Sequence, residues 1–191
     1  MTTQRTSRER LLELASAAFA EEGYAAASVR DLAARTDLTS GAIYGNFGSK
    51  ANLLLAAIDA HIADELVQEP PDGISEIADV LGDLYERFPE RRQLRALLVE
   101  GAVAGRSDDE VRQRLAADQS HRLDVWAGIY RTWQERGEID SDLDLHAVLT
   151  VLWATELGLG VLEAMGLELP TGGQLGEVVR RQTRGLAPDA D

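Results

Sequence analysis

The residues of this sequence that could do chemistry are arranged to hydrogen-bond, not to catalyse. Its three histidines, His61, His121 and His146, lie far apart and share no ligand spacing. His61 with Asp64 and Glu65 reads as a surface cluster before it reads as a metal site. The sequence has no Gly-rich phosphate loop, no His-Glu-x-x-His pattern, no assembled Ser-His-Asp set and no cysteine. No catalytic residue, metal or cofactor is therefore expected. The polar groups that do gather lie in residues 28–47. Ser28 is placed to cap a short helix, and Val29, Leu32 and Ala33 fall on one face of it. Asp37 suits a sharp exit, and Thr39 is placed to cap a second helix. In that helix Ile43 and Phe47 are four apart and point inward together. Ser40, Gly41, Ala42, Tyr44, Gly45 and Asn46 are left facing out. That face is small and polar, with one phenol, and has the form of an element that lies in the major groove of DNA.

The stretch resembles the helix-turn-helix of the TetR family of bacterial repressors, and its flanks stay in register. Arg10-Leu11-Leu12 through Phe19-Ala20-Glu21-Glu22-Gly23-Tyr24 is similar to the family's first helix and its closing Gly-Tyr. Gly48-Ser49-Lys50 with Leu53-Leu54 is similar to the start of its fourth. The resemblance covers residues 8–58. It implies a helix-turn-helix DNA-binding domain in residues 1–50, a three-helix bundle with its motif at 28–47. Residues 51–191 would then be a helical effector-binding and dimerisation domain. It further implies a homodimer on a pseudo-palindromic double-stranded operator, released by a small, mainly apolar effector. The DNA-facing positions would be Ser28, Arg30, Thr39, Ser40, Gly41, Tyr44, Asn46 and Lys50, with Lys50 and Tyr44 on the phosphate backbone.

This chain departs from the family pattern at three points. Asp37 stands where the family usually has a turn glycine. Gly45 stands where a basic or bulky residue is common, and costs the helix about 1 kcal/mol relative to Ala. The reading helix holds no Arg or Lys, so guanine readout by a forked cation falls to Arg30 in the preceding helix.

The elements that must position these residues are helices. Proline is scarce and strand-like alternation is missing, so the fold class is all-α. The net charge of −14 looks hostile to nucleic acid, but its distribution is uneven. Residues 1–50 carry six basic and six acidic groups, and the other 13 basic and 27 acidic groups follow. A neutral head on an acidic body still docks on phosphates, while the body repels non-specific DNA. The absence of cysteine and of an apolar leader fits a cytoplasmic protein with no membrane partner.

In chain order, helices are expected at 7–22 with Gly23 closing, at the two motif helices, and at 50–67 behind a Ser49 cap. The 50–67 helix should connect the head to the body. Pro70-Pro71-Asp72-Gly73 breaks the chain. Helices over 74–88, 89–104 and 107–136 should follow, the last opened by a capping box from Ser107 to Glu110 and closed by Gly137. Asp144 caps a helix to about 165, and residues 171–186 make the last.

Within the body, Trp126, Tyr130 and Trp133 form a stripe at i, i+4 and i+7. Together with Trp153 and Tyr85 it reads equally as plain core or as the wall of a ligand pocket. The expected ligand-binding residues are Trp126, Tyr130, Trp153 and Glu156. Glu156 interrupts an apolar run, and must be exposed, paired or facing a cavity; a partner in Arg180 or Arg181 is one reading. Small residues at Ala154, Gly158, Gly160, Ala164 and Gly166, with Leu175, Val178 and Val179, suit the family's dimer bundle of the last two helices. A ligand-independent regulator, and a helical interaction protein that has lost DNA binding, remain open alternatives.

Overall fold

A computed structural model describes residues 6–36, 38–63 and 71–188. Among them are nine α-helices and one 3-10 turn, and no strand. The helices are α1 (Ser7–Glu22), α2 (Val29–Ala34), α3 (Ser40–Phe47), α4 (Lys50–Ala63), α5 (Ile74–Glu86), α6 (Arg92–Ala104), α7 (Asp109–Glu135), α8 (Leu145–Ala164) and α9 (Gly172–Arg184). Each start follows from local chemistry. Ser28, Thr39, Asp144 and Thr171 accept backbone N–H groups as N-caps. Thr6 and Glu9 close a capping box at α1. Gly23, Gly48 and Gly137 supply the positive φ at helix exits. Asp37 and residues 64–70 lie outside the described residues, and with them the expected aspartate turn and the last turn of the 50–67 helix.

The chain divides into two compact units, residues 1–66 with 93–117, and residues 67–92 with 118–191. The first unit is larger than the 1–50 head expected from the motif. Leu53, Leu54 and Ile58 of α4 are buried in the same core as Leu11, Phe19, Leu32 and Ile43. Leu94 and Leu97 of α6 and Val111 of α7 join that core. Burial of this apolar face is what attaches α4 to the head.

Two boundaries also differ from expectation, for local reasons. Phe88–Arg91 forms a 3-10 turn with Pro89 near its start, so α6 begins only at Arg92. Proline suits a helix start, where its missing N–H is not needed. The cap of α7 is Asp108, not Ser107: its Oδ1 accepts the Glu110 and Val111 N–H groups at 3.0 and 3.2 Å. Ser107 instead donates back to the Ala104 carbonyl.

The second unit is built around Ile77, Ala127, Tyr130, Trp133, Ile139, Leu145 and Leu149, with a smaller cluster of Tyr85, Phe88 and Val179. Helices α5 and α9 come very close. A Cβ on Gly176 would sit 2.6 Å from the Gly82 carbonyl oxygen, and one on Gly172 would collide with the Glu86 carbonyl. Arg180 reaches Asp83 and Glu86 at 2.6 Å each across the pair. Glycine is thus a requirement at these two positions of α9. Gly176→Val should lower the stability of this unit by about 2 kcal/mol, read as a lower denaturant midpoint. A midpoint equal to wild type would mean that the two helices have room to part.

Candidate DNA-binding site

The reading face grows out of a helix of only eight residues. Ile43 is 1% exposed and fixes the inner side. Phe47 is half-buried against the same core. The Thr39 hydroxyl accepts the Ala42 N–H at 3.1 Å, and Gly48 closes the far end with its N–H on the Tyr44 carbonyl. With the inside fixed, Gly41, Tyr44, Gly45 and Asn46 stand exposed, while Ser40 and Ala42 are half-buried. Tyr44 is 47% exposed. Arg30 is exposed on the second residue of α2, directly after the half-buried cap Ser28.

Lys50 has a more specific setting than a solvated charge. Its Nζ donates to the Ala25 carbonyl at 3.4 Å and lies 4.6 Å from the centre of the Tyr24 ring. Burial lowers its pKa from the ordinary lysine value. Ser49, which caps α4 through the Asn52 N–H, also donates its hydroxyl to Glu110 at 3.1 Å. Sequence reasoning missed Arg8. Its exposed guanidinium lies 5.6 Å over the Phe47 ring at the end of the reading helix. It brings a cation to a helix that has none of its own. Nothing in the local sequence signals this, because the two residues are 39 positions apart.

In the body the four expected ligand residues separate into two groups. Trp126 and Tyr130 meet edge to face at 6.4 Å, and Tyr130 continues to Trp133 at 4.8 Å. Tyr130 and Trp133 are 1% and 2% exposed, and burial pushes the Tyr130 phenol upward in pKa. Trp153 is half-buried on α8 and is not part of that ring cluster. Tyr85 stacks on Phe88 in the other cluster. Glu156 is buried and pairs with Arg91 at 2.9 Å, not with Arg180 or Arg181. Its Oε2 has no hydrogen-bond partner. An open groove of about 650 Å³ runs along α7 beside Val125, Gly128, Ile129 and Thr132, with Trp133 in its wall.

Residues 11–57 match the family described as bacterial regulatory proteins, tetR family. The HTH-type transcriptional repressor AcnR of Corynebacterium glutamicum is 35% identical over 148 residues, 76% of each chain. A putative TetR-family transcriptional regulator from Rhodococcus sp. superposes with a TM-score of 0.75 at 22% identity, covering 94% of this chain and 95% of that one. A putative transcriptional regulator from Saccharomonospora viridis, solved in complex with choline, superposes at 0.70 with 21% identity and 93% of each chain covered. The chain belongs to the TetR family of transcriptional regulators. Helix α3 lies within the residues that match the family.

The Arg91–Glu156 pair is strongly buried, with side chains 10% and 11% exposed. Removing one member of a buried pair deprives the other of its counter-charge in a poorly solvated site. Glu156→Ala should therefore cost about 3 kcal/mol of stability, measured by denaturant unfolding. A loss below about 1 kcal/mol would show that Arg91 finds an equivalent acceptor.

Proposed function

We propose that this protein is a homodimeric repressor that places one α3 in each half-site of a pseudo-palindromic operator. The observation that carries this reading is the geometry of α3. One side is sealed into the core by Ile43, and the other offers Ser40, Gly41, Tyr44 and Asn46 to a groove. Arg30 reads bases from α2, Ser28 and Thr39 lie at the helix starts nearest the backbone, and Lys50 and Arg8 bind phosphates. The reading helix contributes hydrogen bonds and shape and no cation of its own, so specificity rests on Arg30 and on duplex form.

Dimerisation through the last two helices is supported by a stripe on α8. Ala147, Val151, Ala154, Gly158, Val161 and Met165 alternate at spacings of four and three, and all six are exposed. A repeat of about 3.5 residues is the seam of paired helices. Val151 is 66% and Met165 69% exposed, and Val178 of α9 adds 52%. Val179 is buried within the subunit, with Leu175 packed partly against it. By length and composition α8 could cross a membrane, with a mean hydropathy of 1.6. Its inner side carries Glu156 paired to Arg91, and a matching α8 covers the apolar stripe without lipid. This reading places the protein in the cytoplasm.

The effector in this reading is a compact, mainly apolar molecule held by the body near Trp126, Tyr130, Trp153 and Glu156. The choline complex of the Saccharomonospora viridis relative is a precedent for a small molecule in this fold. One observation favours a regulator without a ligand: Tyr130 and Trp133 are packed nearly solid, and Glu156 is already paired. Tryptophan fluorescence against a panel of apolar small molecules separates the two.

Val151→Glu tests the dimer where the subunit itself has no stake, because the side chain is on the surface. The variant should sediment as a folded monomer at low micromolar concentration and bind a selected operator at least tenfold more weakly than wild type. A dimeric variant would put the seam elsewhere.

A further inference from the structure

The corner between α6 and α7 bears three carboxylates that all reach the helix-turn-helix, and they reach its two ends. At the entrance, Glu100 Oε2 accepts the Tyr24 N–H at 2.9 Å. Gly23, at φ 87, lies so close to that carboxylate that an added Cβ would sit 3.2 Å from it. Asp108 Oδ2 accepts the Tyr24 hydroxyl at 2.9 Å. At the exit, Glu110 Oε1 accepts the Ser49 hydroxyl at 3.1 Å. Asp108 divides its two oxygens between tasks: Oδ1 caps α7, and Oδ2 holds Tyr24.

The Tyr24 ring so held is the surface on which the Lys50 ammonium rests, 4.6 Å from its centre. A cation over an aromatic face is attracted by the ring's quadrupole. The ammonium has three donors, and the Ala25 carbonyl takes one. Two remain, at a position fixed from both sides. A lysine free in solvent must give up most of its side-chain entropy to bind a phosphate, whereas this one has given it up already. Burial, followed by the hydrogen bond to Asp108, raises the Tyr24 pKa. The phenol therefore keeps the proton that it donates.

We propose that Asp108 and Tyr24 are positioning residues for Lys50, a relay that sets the phosphate-binding lysine from the first turn of α7. The proposal rests on the reading of Lys50 as a phosphate contact. It makes the operator affinity of the head depend on a residue 58 positions away in sequence that never touches DNA. It also gives α7 a means of control. That helix is continuous from Asp109 to Glu135, and a shift of its first turn would release Tyr24 and loosen the lysine.

Lys50 is the only lysine in the chain, so protein labelled with 13C at lysine Cε gives a single side-chain signal. In the wild type its Hε protons should be displaced upfield by the Tyr24 ring. Asp108→Ser keeps a hydroxyl able to cap α7 but is too short to reach Tyr24. Tyr24→Phe keeps the ring and loses the tether. Both should move the lysine signal toward its free position and weaken binding to a duplex selected from random sequence about three- to tenfold. Asp108→Asn keeps its single oxygen to cap α7 and turns its amide N–H toward the Tyr24 hydroxyl oxygen, which can accept it, so this variant should restore both. In a Lys50→Gln background the Asp108→Ser and Tyr24→Phe effects on binding should vanish. An unmoved lysine signal in both Asp108→Ser and Tyr24→Phe overturns the relay while leaving the phosphate contact intact. If Lys50→Gln itself keeps wild-type affinity and salt dependence, the phosphate reading fails, and the proposal fails with it.

Discussion

The surface proposed to face DNA depends on one buried side chain. An eight-residue helix is too short to hold together in water by its own hydrogen bonds. Helix α3 persists because Ile43 is enclosed by the core that α1, α2 and α4 share. Burying such a side chain is worth about 2 kcal/mol, and the Thr39 cap adds about 1 kcal/mol. Gly45 works against both, and leaves an open spot on the outer face where a Cβ would touch nothing. Stability therefore comes from the inner side of α3, and the outer side is left free for recognition.

The same division of labour runs through the charges. The head is neutral overall, and two of its cations are held by rings: Arg8 over Phe47, and Lys50 over Tyr24. The carboxylates at the α6–α7 corner turn inward onto Tyr24 and Ser49, where they accept hydrogen bonds. In the body, α9 carries its basic residues onto the acids of α5, with Arg180 and Arg184 reaching Asp79, Asp83 and Glu86. Most of these pairs are exposed and individually worth little. Arg91–Glu156, in contrast, is desolvated on both sides.

What could be read from the sequence was what local chemistry decides. Ser28, Thr39 and Asp144 announce their helices through a side-chain oxygen and an N–H three residues on. The family itself was legible because its motif is contiguous. What could not be read depends on distant partners. Ser107 and Asp108 are both competent caps. Asp108 takes the role in a structure where its second oxygen holds Tyr24, 84 residues away. Glu156 finds Arg91 across 65 residues, and sequence offers no reason to prefer it over Arg180. Val178 and Val179 differ by one step on a helix, yet one is exposed and the other closes a core cluster. Periodicity likewise shows that α4 has an apolar face but not which core receives it.

In the proposed complex two copies of α3 read one operator together. Hydroxyl-radical footprinting on a duplex selected by the full-length protein tests it most directly. Two protected patches are expected on one face of the duplex, about 34–36 Å apart or a multiple of that, related by the symmetry of an inverted repeat. A single patch, or protection that follows no sequence, would contradict it.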